Sequence, residues 1–315
     1  MQINQKGAPD KQAENIPCEL DTDNAGKESP AFRLVIPDIK KEMKRYPVAL
    51  TIAGSDCSGG AGIQADLKTF SALGVYGTSA ITSIVAENTQ GVQAIEAVSP
   101  AMLKQQIISV FDDIRVDAVK IGMLHSADIV TIVAECIDRF QPRWVVLDPV
   151  MIATSGDMLI EPDTVSSLKE LLFARATIIT PNIDEAAFLS GMEINTTEEM
   201  KTAGEILLTQ GCKNVLMKGG HLKGNVVTDI FLTQDGKSVE LQSPYIDTKN
   251  THGTGCTLSS AIAAHLALGY PPADAVKHAK TYITNALNAG KDIAIGKGHG
   301  PVNHFFDPKQ MSVIS

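Results

Sequence analysis

From Val48 onward, short apolar runs alternate with helical periods to the end of the chain, and this alternation constrains the fold more than any other feature. The runs "PVALTIAGSD", "SAITSIVAEN", "VDAVKIGML", "RWVVLDPVM", "ATIITPN" and "NVLMKGG" have the length and apolar character of strands. Strands separated by helices pair in parallel through crossovers that are right-handed in nearly every case. The pattern therefore predicts an α/β protein with three layers, α/β/α, around a mostly parallel central sheet. No internal repeat is present and the alternation never breaks, so residues 46–315 are expected to form one domain.

The helices carry their own signals. "GIQADLKTFSALG" spaces Ile63, Leu67, Phe70 and Leu73 along one face and stops at Gly74. "SPAMLKQQIISVFDDI" opens with Ser99 as a cap and Pro100 in the first helical position, and Leu103, Ile107, Val110, Phe111 and Ile114 form its stripe. "DIFLTQDGKSVEL" predicts a hairpin around Asp235-Gly236. Two final helices are expected over 255–268 and about 273–289, ending at Gly269 and Gly290. Residues 1–45 are polar, mixed in charge and without periodicity, and are expected to be a loosely ordered extension.

Composition narrows the function. A chain that is 44% apolar and 20% charged is expected to be soluble and globular. No apolar run approaches the ~18 residues of a membrane span, and the start lacks the basic-then-apolar pattern of a secretion signal. A formal charge of −9 argues against nucleic acid or anionic membrane as a partner. Five widely spaced cysteines (Cys18, Cys57, Cys136, Cys212, Cys256), with no C-x-x-C, exclude a disulfide framework or zinc knuckle on spacing and suit a cytoplasmic location.

In open parallel sheets ligands bind beyond the carboxyl ends of the strands. Here those ends carry Gly54-Ser55-Asp56, Glu87-Asn88, Gly122-Met123, Asp148, Asn182 and Lys218-Gly219-Gly220. Each alone reads as a turn former, but six such groups at one edge outline a site. Asp66 shares the apolar face of Ile63 and Phe70, and a carboxylate there needs a partner. A buried ion pair and a hydrogen bond to a substrate both satisfy the spacing.

Two nucleotide signatures fail. Around Gly236-Lys237-Ser238 the position that a Walker A loop needs as Gly is Phe231, and "SGGAG" is not G-x-G-x-x-G. A different device is present in "THGTGCTLSSAIAAHLALGYPP". Gly253 and Gly255 let the backbone approach a ligand, and the amides of 253–256 at a helix start make an anion site. A flexible entry into the helix is the competing reading. Cys256 stands at that helix start, where thiols are commonly acidified.

The segments "ALTIAGSDCSGGAGIQADLKTFSALGVYGTSAITSIVAENTQGVQ", "KIGML", "VLDPVM", "ITPNIDEA", "VLMKGGH", "NTHGTGCTLSSAIAAHLALG" and "GKGHGPVNHF" resemble, in order, the hydroxymethylpyrimidine/phosphomethylpyrimidine kinases of the ribokinase-like family. The resemblance runs from about Val48 to Phe305 and implies ATP and Mg²⁺, with phosphoryl transfer first to a pyrimidine hydroxymethyl group and then to the monophosphate, for thiamine biosynthesis. It also implies a homodimer. Asp66, Glu87, Gly54 and Met123 would then contact the pyrimidine. Asn182, Lys218, Thr254 and Gly255 would hold ATP phosphates, and Glu185 and Asp148 the metal. Gly253, Gly255, Cys256 and Lys218 would form the catalytic group, with the Cys256 thiolate accepting the alcohol's proton. The tail "GKGHGPVNHFF" would close over the nucleotide end, with no single role for His299 or His304. Glu87 stands where many of these kinases have Gln, and as a carboxylate it can only accept hydrogen bonds. The rival readings are a pyridoxal kinase, whose pattern has Asp at the place of Cys256, and a non-catalytic pyrimidine or nucleotide sensor.

Overall fold

The computed structural model describes residues 44–151, 161, 163–220 and 224–314, all within a compact unit spanning Met43–Ser315. The expected extension up to residue 43, Cys18 included, lies outside the described residues. Arg45, placed in that extension by the sequence reading, belongs to the folded unit. Its guanidinium makes two bonds to Asp117 at 2.6 and 2.7 Å, and its backbone exchanges two hydrogen bonds with Ile314.

The elements run β1 (Val48–Asp56), α1 (Gly62–Ala72), β2 (Tyr76–Asn88), β3 (Gly91–Ala97), α2 (Pro100–Asp113), β4 (Ala118–Ile121), α3 (Ala127–Phe140), β5 (Val145–Leu147), α4 (Thr164–Leu171), β6 (Ile178–Ile179), α5 (Ile183–Ser190), α6 (Thr197–Thr209), β7 (Asn214–Met217), β8 (Val226–Thr233), β9 (Ser238–Pro244), α7 (Thr254–Ala267) and α8 (Pro272–Gly290). The described strands form one sheet in the order β3-β2-β1-β4-β5-β6-β7-β8-β9. The inner run from β2 to β7 is parallel, and β3, β8 and β9 are antiparallel edges.

Strand side chains alternate between two cores, which is why the inner strands read as mostly apolar runs. Leu50 and Ile52, Val119 and Ile121, and Val145 and Leu147 face α2–α6. Ala49, Ala118 and Val146 face α1, α7 and α8. This is the expected three-layer arrangement. Ser99 caps α2 by accepting from the Met102 amide, and Gly74, at φ +75°, ends the turn after α1. The hairpin at Asp235-Gly236 joins β8 to β9. The sequence reading missed β3, whose exposed residues lack an apolar run to announce them.

Candidate active site

At the carboxyl edge of the parallel strands lies one cavity of about 650 Å³. Gly54, Glu87, Met123, Asp148, Asn182, Glu185, Lys218 and the turn Gly253-Thr254-Gly255-Cys256 all line it, so residues far apart in the chain meet in one place. A side chain at Gly54 would strike Met123 Cε at 2.7 Å, so the bare backbone there makes room for the methionine on the cavity wall.

The turn owes its shape to glycine. Gly253 is left-handed at φ +77°, and a Cβ there would lie 1.9 Å from the Gly60 carbonyl oxygen. A Cβ on Gly255 would come within 3.4 Å of Lys218 Nζ and 3.6 Å of Asp148 Oδ2. Helix α7 has no side-chain cap. The Thr254 amide is used inside the turn, donating to Thr251 O at 3.2 Å, which corrects the expectation that it points at a ligand. The amides of Gly255 and Cys256 have no hydrogen-bond partner among the described residues. Together with the helix dipole they form a site for negative charge.

Beneath the turn runs a row of alternating charges. Lys218 Nζ is 2.9 Å from Asp148 and 3.8 Å from Glu185. Asp148 also accepts from Thr180 Oγ1 at 2.9 Å and Ser259 Oγ at 3.0 Å. Burial pushes Asp148 up, yet the charges of Lys218 and Lys120 hold it below the usual carboxylate range. Glu185 goes the other way: burial pushes it up to about 7 despite Lys218. The N-x-x-E motif is locally a capping box. The Asn182 side chain accepts from the Glu185 amide, and the Glu185 carboxylate accepts from the Asn182 amide, each at 2.8 Å. That reciprocal cap delivers both residues to the cavity.

Two expectations are corrected. Asp66 is fully buried and does not line the cavity. It accepts from Lys120 Nζ at 2.9 and 3.0 Å, from Thr51 Oγ1 at 2.6 Å and from Ser260 Oγ at 2.6 Å. The carboxylate on the apolar face is thus the centre of an internal ion pair and has no accepting position left for a substrate. Cys256 lines the cavity, but burial raises its thiol to about 11 although Lys120 opposes the shift. Desolvation outweighs the helix start, and the thiol keeps its proton in the neutral range.

The sequence reading missed the partners of Asp56. That carboxylate accepts from the amides of Ser58, Gly60 and Ala61 and lies 2.8 Å from His252 Nε2. Asp56, Glu87 and His252 offer ligand atoms within 4.8 Å of one another. With Asp56 closed by four donors, the group is a hydrogen-bonded clasp instead of a metal centre. Lys120, a lysine inside the apolar run "AVKIG", was the available signal for the Asp66 partner. The tail is pinned to Thr89 by the amides of Lys297, Gly298 and His299, next to the strand end that carries Glu87, and its residues do not line the cavity. The expectation of a cover over the nucleotide end is corrected accordingly.

The profile of the phosphomethylpyrimidine kinase family matches residues 56–303. The chain belongs to that family. A hydroxymethylpyrimidine/phosphomethylpyrimidine kinase of Rhizobium meliloti is 52% identical over 259 residues, covering 82% of this chain and 97% of the relative. The crystal structure of a phosphomethylpyrimidine kinase from Clostridium difficile is 48% identical with a TM-score of 0.67, covering 76% of this chain and 99% of that one. A Bacillus subtilis pyridoxal kinase solved as its ADP complex is 40% identical with a TM-score of 0.76, covering 82% and 98%. The chain is therefore a kinase of the ribokinase-like fold, and among the described residues no helix is long and apolar enough to cross a membrane.

Proposed function

We propose that this kinase transfers a phosphoryl group from ATP to 4-amino-5-hydroxymethyl-2-methylpyrimidine and then to the resulting monophosphate, as a step in thiamine biosynthesis. The observation that carries the reading is the meeting, in one cavity, of the Gly255 and Cys256 amides with the Asp148–Lys218–Glu185 row. Phosphoryl transfer has a loose transition state, so positioning and charge neutralisation matter more than strong base catalysis. The amides and Lys218 supply fixed positive charge where a phosphoryl group would sit. Asn182 and Thr254 border the same space.

The donor set suits Mg²⁺, because Asp148 and Glu185 present hard carboxylate oxygens beside Lys218. These two residues would hold the ion, and when bound it supplies further neutralisation of phosphate charge. Glu87, Met123 and Gly54 line the same cavity, and a pyrimidine ring would lie against them. Cys256 is the candidate acceptor of the hydroxymethyl proton. Its raised proton affinity means that only a small thiolate fraction is present at neutral pH.

Supplying ATP, Mg²⁺ and hydroxymethylpyrimidine and looking for mono- and diphosphate by mass tests the reading, and a missing diphosphate would limit it to the first step. Pyridoxal phosphorylation is the second reading, favoured by the 40% identity to the Bacillus subtilis pyridoxal kinase. The same assay with pyridoxal measures it. We also propose a cytoplasmic homodimer of a single kinase domain, preceded by an extension that ends before Arg45. The described cysteines are free, in keeping with a reducing compartment. Light scattering of the full chain checks the dimer.

A further inference from the structure

We propose that His304 is a positioning residue for phosphoryl transfer, donating through its Nε2–H to Thr257, whose hydroxyl in turn pins the Gly253 carbonyl at the start of the anion turn. The inference rests on the reading of that turn as the phosphate site, and extends it to a residue that never reaches the cavity.

Thr257 Oγ1 lies 2.8 Å from Gly253 O. A carbonyl oxygen only accepts, and two bare oxygens at that distance repel, so the single hydroxyl proton of Thr257 points at Gly253. His304 Nε2 lies 3.0 Å from the same Thr257 oxygen. With the proton already committed, Oγ1 accepts in this second contact and the imidazole must donate. That assigns the Nε2–H form of His304. The ring is buried, and burial aided by the charge of Lys68 holds it down to about 4, so it is neutral at physiological pH and its Nδ1 is bare.

Gly253 needs this support. Its carbonyl receives the Thr257 amide at 2.8 Å as well as the hydroxyl, so one threonine grips it twice. No side chain caps α7, and Gly253 stands in the left-handed region. The orientation of its peptide therefore depends on Thr257, and Thr257 on His304. Tyr282, from α8, fixes the other side of the chain of contacts, its hydroxyl donating to His304 O at 2.7 Å. His304 arrives on the tail "GKGHGPVNHFF", so the final segment supports the turn from behind without covering the site.

The test uses four full-length variants, Thr257→Val, Thr257→Ser, His304→Leu and His304→Gln, with ATP, Mg²⁺ and hydroxymethylpyrimidine as probes. Thr257→Val and His304→Leu are expected to lower kcat by about 10- to 100-fold, with the pyrimidine KM within about twofold of wild type. Thr257→Ser and His304→Gln keep a hydroxyl and a donor, and are expected to retain kcat within about threefold. Nitrogen-15 NMR, with the His304 signals assigned by their absence from His304→Gln, should show that ring protonated at Nε2 and bare at Nδ1 from pH 6 to 8, with that signature lost in Thr257→Val. A His304 ring protonated at Nδ1, or unchanged kcat in Thr257→Val, overturns the proposal. So does a fall in melting temperature with kcat intact, because that is the mark of a purely structural contact. A wild type that forms no phosphorylated pyrimidine or pyridoxal overturns the reading of the turn and the proposal with it, whereas active wild type with unaffected variants overturns the proposal alone.

Discussion

His252 Nε2 lies 2.8 Å from Asp56 Oδ2, and this one contact ties the loop after β1 to the turn that opens α7. The fit around it is close: a Cβ on Gly60 would strike the His252 ring at 2.3 Å, and one on Gly253 would strike Gly60 O at 1.9 Å. Burial opposes both charges. Hydrogen bonds from His252, Ser58 and Ala61 nonetheless hold Asp56 well below its ordinary 3.8, while Asp56 and then Glu87 raise His252 above its ordinary 6.5. The raised histidine contributes stability that is full below 6.5 and is lost as pH rises through its folded value. The depressed aspartate contributes stability above 3.8 that is lost only as pH falls through its folded value. The clasp is intact between those limits. From pH 6 to 9 the wild-type melting temperature should therefore fall more steeply than that of His252→Gln. A charge-assisted hydrogen bond of about 1.5–3 kcal/mol is at stake near pH 6. Parallel melting curves for the two proteins would remove the assignment.

Asp66 and Lys120 make a prediction about stability without binding. Both side chains are fully buried. Removing one partner leaves a buried charge unpaired, at a cost of about 3–5 kcal/mol. Lys120→Met should lower urea stability by that order, and the double variant Asp66→Leu, Lys120→Met should recover part of it. Asp66→Asn, wherever it folds, should leave the pyrimidine KM within about twofold. A tenfold rise in that KM with kcat unchanged would return Asp66 to the substrate site.

The two glycines of the turn separate strain from occupancy. Gly253→Ala forces a side chain into the left-handed region and against Gly60 O, so it should both destabilise the fold and lower kcat by about 100-fold or more. Gly255→Ala meets only the 3.4 Å and 3.6 Å contacts with Lys218 and Asp148. It should fold with near-normal stability and raise the KM for ATP by narrowing the space beneath the phosphates. Equal effects of the two on melting temperature would mean that Gly255 too is there for backbone geometry.

The strand-helix alternation was legible because each inner strand serves two cores and so is apolar at most positions on both faces. β3 was not, since it is an exposed edge whose pairing with β2 depends on register more than on apolarity. In the site, glycines and Lys218 were readable at the strand ends because local position already places them at the cavity. Asp66 was read ambiguously, because periodicity places a side chain on a face without saying whether a lysine from β4 waits there. The clasp of Asp56 with His252 and the contact of His304 with Thr257 join residues 196 and 47 positions apart. No local pattern encodes such pairs.

Cys256 gives a prediction in pH. Its thiol is raised to about 11 by burial, and below that value the thiolate fraction grows about tenfold with each unit rise in pH. If the thiolate accepts the hydroxymethyl proton, kcat for the first phosphorylation should climb between pH 7 and 9 in the wild type. The slope should vanish in Cys256→Ala. The second phosphorylation, whose acceptor is already an anionic phosphate, should show no such slope and a smaller loss in the variant. Equal losses in both reactions would leave Cys256 as a wall of the phosphate site and no more.

Glu87 bears on the ring end of the cavity. A carboxylate can only accept hydrogen bonds, and an unprotonated ring nitrogen can only accept as well. Glu87 can therefore take the exocyclic amine of an aminopyrimidine directly, but it engages a neighbouring ring nitrogen only when a proton lies between them. His252 stands in the same cluster, its proton affinity raised in part by the charge of Glu87. The shared proton must then come with the substrate, so the pyrimidine KM should rise as pH increases and the ring loses its proton. Glu87→Gln supplies its own donor and should stay active with a flatter KM profile. The comparison needs only KM at several pH values for the two proteins under saturating ATP. An identical pH dependence in both would show that no proton is shared at Glu87.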